Sequence, residues 1–318
     1  LEGFDVEVLF FQKYFESMVA SMRSACPRLR LLVCIDGTVD GCESLPTWIA
    51  QHPCEPPAIQ VEQDQLAAIM PTGGPTGRPK GVMLTHRSLG ASIANGVINT
   101  PYQSEDAIVN LAAAPMTHTA GFLSLSATAR GGKVLVISKP DPETLLDAIT
   151  QHKVTEFFLP PTVIYRLLET PGIRERDLSS IRYFMYGAAP MSIEKLKTAM
   201  EVFGPVMLQG YGQTEAPGSI AFLRPSDHFV KGAVASDIRL SACGIPSVLN
   251  AMCIMDEDRK PVPKGGTGEI CIRGDIVMKG YYKQPDKTAE SIIDGWLHTG
   301  DVGHLDAEGY LHITDRKR

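Results

Sequence analysis

Up to about residue 235, short runs of aliphatic and β-branched residues alternate with longer stretches of helical periodicity. This alternation is typical of βα units, in which a helix follows each strand and packs on the sheet. We therefore expect an α/β fold of layered, mostly parallel sheets with flanking helices. The predicted strands are residues 29–35, 66–70, 107–113, 133–137, 156–159, 183–186 and 206–209. The predicted helices are residues 85–99, 121–129, 142–151, 162–168 and 192–203.

After about residue 235 the helical stretches become fewer, and glycine and proline separate short apolar runs. Such spacing is typical of short strands joined by tight turns. We expect an α/β part over residues 1–235 and a small β-rich subdomain, a distorted barrel, over residues 236–318. The apolar runs are AMCIMD, GEICIRG, IVMKGYY and YLHIT.

The composition restricts the classes of partner. The 318 residues carry 30 Lys and Arg against 36 Asp and Glu, a formal net charge of −6. Because there is no basic surplus to neutralise a phosphate backbone, nucleic acid is not expected as a partner. No run approaches the roughly 20 apolar residues that a bilayer-spanning helix needs, so we expect a cytoplasmic protein without a transmembrane segment. The seven cysteines include no C-x-x-C pair, which disfavours a zinc or redox site.

Residues 72–81 read TGGPTGRPKG and follow the apolar run LAAIM. Glycines let backbone amides approach an anion, a threonine hydroxyl can donate to a phosphate oxygen, and a lysine supplies positive charge. This composition favours a phosphate-binding loop over an ordinary Gly/Pro turn. The spacing is not that of a Walker A loop, because Gly81 and not Ser or Thr follows Lys80. The candidate phosphate ligands are Thr72, Gly73, Gly74, Thr76, Gly77 and Lys80.

Other short motifs combine residue types suited to a nucleotide. QGYGQTE follows a predicted strand, and ligands of open α/β sheets bind where strands end. It offers an aromatic face for a base, a hydroxyl for a phosphate and a carboxylate for a hard cation. GWLHTGD contains an aspartate whose two oxygens suit a cis-diol. The motifs are APMTHTAGF (114–122), GAAP (187–190), QGYGQTE (209–215), GWLHTGD (295–301) and TDRKR (314–318).

Together with the glycine-rich loop, these motifs make the chain resemble the acyl-adenylate-forming superfamily, which includes acyl-CoA synthetases, aryl-CoA ligases, luciferases and adenylation domains. The six motifs occur in the family's order and span residues 66–318. The loop matches nine of the eleven positions of the pattern [YF]-T-[SG]-G-[TS]-T-G-x-P-K-G. Pro71 and Pro75 depart from it, so Thr72 and Thr76 would carry more of the phosphate contact. The expected fold is that of the family's N-terminal domain.

The resemblance also implies roles for individual residues. Tyr211 would lie against the adenine, Thr214 would hold the α-phosphate, Glu215 would coordinate Mg²⁺, and Asp301 would accept hydrogen bonds from the ribose hydroxyls. The implied catalytic residues are Thr214, Glu215, Lys80 and His118. The implied nucleotide-binding residues outside the glycine-rich loop are Gly187, Ala188, Ala189, Pro190, Gln209, Gly210, Tyr211, Gly212, Thr214, Asp301 and Arg316.

His118 would sit between the acyl pocket and the phosphates, and a structural histidine is the alternative. The small, mostly apolar candidates for that pocket are His118, Thr119, Gly121, Met185, Gly187 and 210–212.

The implied reaction is the ATP-dependent activation of a carboxylic acid to an acyl-adenylate, followed by thioester formation with coenzyme A. ATP or AMP, Mg²⁺ and coenzyme A are the implied cofactors, and a homodimer is compatible with the resemblance. Amino-acid-activating members carry an aspartate that pairs with the substrate's ammonium, and MTHTAGF has none. Because an unpaired buried cation is unfavourable, a fatty or aromatic acid is expected, and the choice between these two stays open.

Two alternatives accompany this interpretation. The acyl group could be delivered to a carrier-protein thiol instead of coenzyme A. The chain could also be a nucleotide-binding module with little activity, because the family's catalytic lysine lies in a C-terminal domain after the hinge. The sequence starts at Leu1 and stops at the charged DRKR directly after an apolar run. We therefore expect a fragment without that C-terminal domain.

Overall fold

The computed structural model describes residues 2–72 and 79–316. It divides into two compact units, Leu1–Glu62 and Gln63–Arg318. The first unit contains a parallel sheet in which the middle strand, LLVC, is almost entirely buried. Its elements are the 3₁₀ helices Glu2–Phe4 and Lys13–Met18, β1 (Val8–Phe11), α1 (Val19–Ala25), β2 (Leu31–Cys34), β3 (Glu43–Ser44) and α2 (Leu45–Ala50).

Among its described residues, the second unit contains four sheets, of seven, five, three and two strands, and the remaining helices. Its strands are β4 (Leu66–Thr72), β5 (Lys80–Thr85), β6 (Val109–Ala112), β7 (Lys133–Val136), β8 (Glu156–Leu159), β9 (Tyr183–Gly187), β10 (Met207–Gln213), β11 (Ala216–Leu223), β12 (Phe229–Val230), β13 (Ala233–Val234), β14 (Ile245–Pro246), β15 (Ala251–Met255), β16 (Gly268–Arg273), β17 (Gly280–Tyr281), β18 (Ile292–Ile293), β19 (Trp296–Leu305) and β20 (Leu311–Arg316). Its helices are α3 (His86–Asn99), α4 (Thr119–Ala129), α5 (Pro142–His152), α6 (Pro161–Leu168), α7 (Ile193–Phe203), α8 (Asp237–Leu240) and α9 (Pro285–Ser291), with 3₁₀ helices at Ile173–Glu175 and Pro225–His228.

A seven-stranded sheet with the order β14-β11-β10-β9-β8-β6-β7 carries the α/β part. The strands from β7 to β10 pair in parallel, and β11 and β14 add antiparallel neighbours. Strands β8 and β9 read as nearly continuous apolar runs, as expected for parallel strands buried on both faces. Phe157 and Phe184 are fully buried there, and each burial contributes about 1.5–3 kcal/mol. The expected mostly parallel fold is confirmed.

Helices α5 and α7 bury one apolar face each in the core of this sheet. Leu145, Leu146 and Ile149 of α5 are fully buried. Both helices start at a polar residue that satisfies an otherwise unpaired backbone amide. Asp141 accepts a hydrogen bond from the first turn of α5, and Ser192 accepts one from the first turn of α7. Capping thus fixes the starts of the helices that cover the sheet.

The β-rich part contains an antiparallel sheet with the order β15-β16-β19-β18, and β20 pairs with β19. Burial alternates along the ten residues of β19, so alternate side chains point into a core. Strands β4, β5 and β17 form a separate antiparallel sheet. The predicted division at residue 235 lies inside the second unit and stays a prediction. No helix among the described residues has the length and hydrophobicity to cross a bilayer.

Two local expectations need correction. Residues 80–85 are not among the predicted strands, yet they form β5, which pairs with β4 across the glycine-rich loop. Strand β10 does not end at Gln209 but continues to Gln213, and the chain returns as β11. The glycines at 210 and 212 suggest a loop from local preference, whereas pairing with β11 holds this segment in the sheet.

Candidate functional site

The QGYGQTE motif forms the tip of the β10–β11 hairpin. Tyr211 pairs with Ala221 and Gln213 with Ala216, so Thr214 and Glu215 form a two-residue turn. The Glu215 carbonyl accepts a hydrogen bond from the backbone amide of residue 278 at 2.8 Å. The strand pairing of the hairpin and the hydrogen bond from residue 278, in the segment before β17, therefore both hold this turn in place.

The Glu215 side chain lies beside an aromatic residue of β17. The Tyr281 hydroxyl donates to Glu215 Oε1 at 2.8 Å, and Lys80 Nζ lies 4.7 Å from the centre of the Tyr281 ring. Burial, and next the charge of Glu215, raise the pKa of Tyr281, so its hydroxyl stays protonated and donates. The pairing of Tyr281 with Val82 across β17 and β5 holds this ring near Lys80. The Tyr281 side chain therefore contacts both residues: its hydroxyl binds Glu215, and its ring lies beside the Lys80 ammonium.

A second cluster joins the other two motifs around Asp301. The Tyr211 hydroxyl donates to Asp301 Oδ2 at 2.7 Å, and Arg316 Nε donates to Oδ1 at 2.9 Å. Asp301 and Arg316 are direct partners across β19 and β20. Burial, followed by the charge of Asp301, raises the pKa of Tyr211, and the hydrogen bond to Asp301 raises the pKa of Arg316. Three residues from three motifs thus meet at one carboxylate.

The backbone before Asp301 is held by neighbouring side chains. The Glu269 carboxylate accepts a hydrogen bond from the Gly300 amide at 3.1 Å and lies 2.9 Å from His298 Nδ1. The Thr299 hydroxyl donates to the carbonyl of residue 270 at 2.7 Å. Both partners, the Glu269 carboxylate and the carbonyl of residue 270, belong to β16. They hold β19 at residues 299 and 300, directly before Asp301.

Glycines let neighbouring strands approach closely beside Tyr211. Gly187 ends β9 with a positive φ of 157°, and a Cβ there would collide with the Gly210 carbonyl oxygen. A Cβ at Gly212 would collide with the carbonyl oxygen of residue 218. Ala188 follows with φ 63°, a left-handed conformation that is uncommon for alanine. The GAAP segment therefore leaves the sheet sharply, with its last three residues, 188–190, exposed.

Two adjoining cavities lie next to this hairpin, and we call them the mouth cavity and the middle cavity. The mouth cavity has a volume of about 120 Å³ and is lined by residues that include His118, Gly212, Gln213 and Thr214. The middle cavity, of about 70 Å³, is lined by glycine backbone on one part and by apolar side chains on another. Its lining residues are Thr119, Leu123, Phe158, Met185, Tyr186, Ala188, Leu208, Gly210, Gly212, Gly218, Ser219 and Phe222. The two cavities share several lining residues, Leu123 and Gly218 among them, so they lie side by side.

His118 is the N-cap residue of α4 and is exposed. Its Nδ1 lies 2.8 Å from the Thr119 hydroxyl. This contact leaves Nε2 as the other ring atom able to face a ligand in the mouth cavity. Thr214 lines the same cavity, so the position is compatible with the predicted location between an acyl group and phosphates.

The glycine-rich loop is only partly described. Thr72 ends β4 and pairs with Lys80, the first residue of β5, so these two predicted ligands face each other across the hairpin. Four predicted ligands lie outside the described residues: Gly73, Gly74, Thr76 and Gly77.

Three further predicted site residues line neither the mouth cavity nor the middle cavity. Gln209 is paired with Tyr186 within the sheet, one residue before the close approach of Gly187 to Gly210. Gly121 and Gly187 are the other two. Their predicted contacts with an acyl group or a nucleotide stay predictions.

Two polar groups of this site are not evident from the sequence. Tyr281 belongs to the apolar run IVMKGYY, where an aromatic residue gives no functional signal by itself, yet its hydroxyl donates to Glu215. Gln213 lies inside the QGYGQTE motif, but its residue type alone assigns it no role. Its Nε2 is buried and has no hydrogen-bond partner within residues 2–72 and 79–316. An unsatisfied buried donor costs about 1–3 kcal/mol, and an acceptor bound in the mouth cavity would remove that cost.

The profile of the AMP-binding enzyme family matches residues 3–282, which is most of the chain. The chain belongs to the AMP-binding enzyme family. It is 35% identical over 259 residues to a medium/long-chain-fatty-acid–CoA ligase of Mycobacterium tuberculosis, covering 81% of this chain and 44% of that protein. It is 37% identical over 264 residues to a feruloyl-CoA synthase of an Amycolatopsis species, covering 82% of this chain and 52% of that protein.

Among solved structures, an amide bond synthetase of Marinactinospora thermotolerans superposes with a TM-score of 0.85 at 31% identity, covering 98% of this chain and 60% of that one. The expected fold of the AMP-binding N-terminal domain is thereby confirmed. The chain spans about half the length of the curated relatives it matches.

The described residues of this AMP-binding enzyme fit a magnesium ion at one position. Glu215 offers Oε2, which accepts no hydrogen bond from the described residues, while Tyr281 holds Oε1. Mg²⁺ commonly binds one or two carboxylates together with substrate phosphates, so a single glutamate beside a phosphate site suffices. When bound there, the ion would neutralise phosphate charge.

Proposed function

We propose that this chain binds ATP and a carboxylic acid and catalyses formation of an acyl-adenylate, with coenzyme A as the acceptor of the acyl group. The observation that carries the proposal is the meeting of Tyr211 and Arg316 at the Asp301 carboxylate, beside the turn that bears Glu215. A buried carboxylate held by two donors is a preformed acceptor for the two ribose hydroxyls. The family membership supports the same ligand.

The chemistry requires that a carboxylate approach the α-phosphorus although both carry negative charge. Fixed donors and cations must therefore stabilise the charge that builds up in the transition state. Lys80 supplies a cation from β5, and Thr214 supplies a hydroxyl from the hairpin turn. The nucleophile belongs to the substrate, so no side chain has to form a covalent intermediate.

The acid would enter through the mouth cavity and extend into the middle cavity. Leu123, Met185 and Phe222 provide apolar contact there, and the glycine backbone leaves room for the acyl group. Fatty-acid and feruloyl CoA ligases among the relatives support a plain carboxylate, aliphatic or aromatic, as the substrate. Coenzyme A is the proposed acceptor because these relatives are named as ligases or synthases of CoA thioesters.

An amine acceptor is the second candidate, because an amide bond synthetase shares the fold at 31% identity. Both reactions start from the same adenylate and differ only in the group that displaces AMP. Incubating the chain with a preformed acyl-adenylate and either coenzyme A, a carrier-protein thiol or an amine would separate the acceptors. Turnover with carrier protein or amine alone would remove the coenzyme A assignment.

Calorimetry with two variants tests nucleotide binding. We expect Asp301→Ala to weaken ATP and AMP by about tenfold to a hundredfold, since hydrogen bonds to a charged group contribute about 1.5–3 kcal/mol. We expect Glu215→Gln to weaken Mg·ATP while leaving metal-free AMP nearly unchanged. Asp258→Ala, which removes an equal charge from an exposed turn, is the control. Unchanged affinities in both site variants would refute the nucleotide site.

A further inference from the structure

Three side chains of different chemistry meet on the antiparallel sheet of the β-rich part. Glu269 and Cys271 lie two positions apart on β16, and His298 on β19 is the direct partner of Cys271. One nitrogen, oxygen or sulfur atom from each side chain lies within 4.8 Å of the other two. We call these three residues the Cys–His–Glu cluster.

The atoms of the Cys–His–Glu cluster are spaced almost as the ligands of one small cation. The Nδ1 atom of His298 lies 2.9 Å from Glu269 Oε2 and 3.4 Å from Cys271 Sγ. In a tetrahedral zinc site, bonds of about 2.0 Å to nitrogen and oxygen and about 2.3 Å to sulfur place the same pairs of atoms about 3.3 Å and about 3.5 Å apart. The cluster therefore has to widen by only a few tenths of an ångström to hold such an ion.

A hydrogen atom cannot serve all three ligand atoms as a cation would. The Nδ1 atom of His298 carries at most one hydrogen, and this hydrogen has good geometry toward either the carboxylate or the sulfur. A divalent cation placed among the three atoms would interact with all of them at once. The convergence of sulfur, nitrogen and oxygen on one point is therefore better matched by a cation than by a hydrogen bond.

The second oxygen of Glu269 orients the carboxylate. Its Oε1 atom accepts a hydrogen bond from the Gly300 amide at 3.1 Å, and Oε2 thereby faces His298. Contacts of this kind behind a metal ligand fix its direction and raise metal affinity. The side chains of Glu269 and His298 are each 10% exposed, whereas Cys271 is fully buried. An ion, and a water molecule as its fourth ligand, would therefore enter from the side of the carboxylate and the ring.

The Cys–His–Glu cluster lies at an irregularity in the pairing of β16 with β19. Glu269 pairs with Val302. Cys271, two residues later, pairs with His298, which is four residues before Val302. Three residues of β19 thus lie opposite one residue of β16, and the last of the three is Asp301. Such bulges interrupt the ladder of hydrogen bonds and redirect side chains. An ion bound by the three ligands would hold the two strands together on both sides of this bulge.

We propose that Glu269, Cys271 and His298 bind a zinc-type divalent cation that stabilises the bulge carrying Asp301. Cys271 binds as the thiolate, and its proton is released to the solvent. A thiolate and an imidazole favour Zn²⁺ or Co²⁺, whereas Mg²⁺ prefers oxygen ligands, so this site is distinct from the one beside Glu215. The inference goes beyond the proposed function, because it concerns a second ion and does not depend on the formation of an adenylate.

The lack of a C-x-x-C pair in the sequence does not count against this site. Two of the ligands alternate along β16, and the third comes from a neighbouring strand. Strand register, and not spacing along the chain, brings them together. The spacing of the cysteines therefore gives no signal for a site of this kind.

Titration of the purified, chelator-treated chain with Co²⁺ alone tests the site. We expect one equivalent to bind, with the near-ultraviolet charge-transfer absorption that a thiolate ligand gives to cobalt. Zn²⁺ should displace the cobalt, and a large excess of Mg²⁺ should not. Because an ion that binds only the folded chain stabilises it, Zn²⁺ should also raise the Tm.

Variants show which residues hold the ion. Cys271→Ser should lower the Zn²⁺ affinity by at least about a hundredfold and abolish the charge-transfer absorption. His298→Asn is the second variant, in case the first does not fold, and should lower the affinity to a similar extent. His312→Asn is the matched control, since His312 is also buried and lies 3.3 Å from the Asp306 carboxylate but is not part of the cluster. Cys54→Ser, which removes an exposed thiol, is the control for nonspecific binding.

The outcomes separate this inference from the proposed function. Cobalt binding without charge-transfer absorption, or zinc binding that is unchanged in both folded cluster variants, would overturn the site. An equal rise of the Tm in the parent chain and in Cys271→Ser would do the same. AMP is titrated into the same preparations: AMP binding without any binding of Co²⁺ or Zn²⁺ would overturn this inference alone. Metal binding without AMP binding would support the cluster and contradict the proposed nucleotide site.

Discussion

Two buried carboxylates of this protein each pair with an arginine, and their surroundings differ. At Glu156, the Arg130 side chain is only 13% exposed, so both partners are withdrawn from water. At Asp301, the Arg316 side chain is 76% exposed although the carboxylate is 7% exposed. We call the pair at Glu156 the closed pair, because both partners are withdrawn from water. The pair at Asp301 is the open pair, because its arginine is in water, as the proposed nucleotide site requires.

The largest expected effect concerns the closed pair. Arg130→Met leaves the Glu156 carboxylate buried without its cation, and we expect a loss of about 3–5 kcal/mol in the free energy of unfolding. Urea unfolding measures it. The double variant Arg130→Met/Glu156→Leu should recover most of this loss, because no uncompensated charge remains. A single variant as stable as the parent would contradict the distinction between the two pairs.

The corresponding change in the open pair should act on ligand binding instead of folding. For Arg316→Met we expect less than about 1 kcal/mol of lost stability, since the guanidinium is mostly in water. AMP affinity should fall by about tenfold, because Asp301 loses the cation that orients it. Urea unfolding and calorimetry on one preparation provide both values. A stability loss as large as that of Arg130→Met would break the comparison.

The smallest effect is expected for the neutral donor of the open pair. Tyr211→Phe removes one hydrogen bond to Asp301 and keeps the ring, so AMP affinity should fall by about threefold to tenfold. Because the pKa of Tyr211 is raised above its ordinary value, its hydroxyl stays protonated, and this effect should be constant from about pH 6 to about pH 9. Titrations at both limits check it; an effect that disappears at the upper limit would show an ionising phenol.

Local patterns are enough to predict most strands and helices of the α/β part. The apolar run at residues 156–159 predicts a strand and forms β8, and the capping preference of Ser192 marks the start of α7. The β10–β11 hairpin does not follow from such patterns, because its glycines favour a loop unless a partner strand is known. Pairing across distant segments is set by tertiary contacts that no local window contains.

The same distinction between local sequence patterns and tertiary contacts applies to the functional site. The order of the motifs predicts Tyr211, Asp301 and Arg316 as one site, and the structure brings them together through hydrogen bonds. Tyr281 and Gln213 do not follow from the sequence, because their residue types alone assign them no role. In the structure, the Tyr281 hydroxyl donates to Glu215, and the buried Gln213 amide nitrogen has no hydrogen-bond partner within residues 2–72 and 79–316.

The pairing of Asp301 with Arg316 across β19 and β20 makes the site sensitive to a segment that is distant from the hairpin tip. The turn between these strands runs through residues 306–309, and Gly309 has φ 90°. The pairing also shifts by one residue between Val302 and Gly303, so Thr314 is an extra residue on β20 and forms a bulge. The length of the turn and this bulge together therefore determine that Arg316, and not Asp315, lies opposite Asp301.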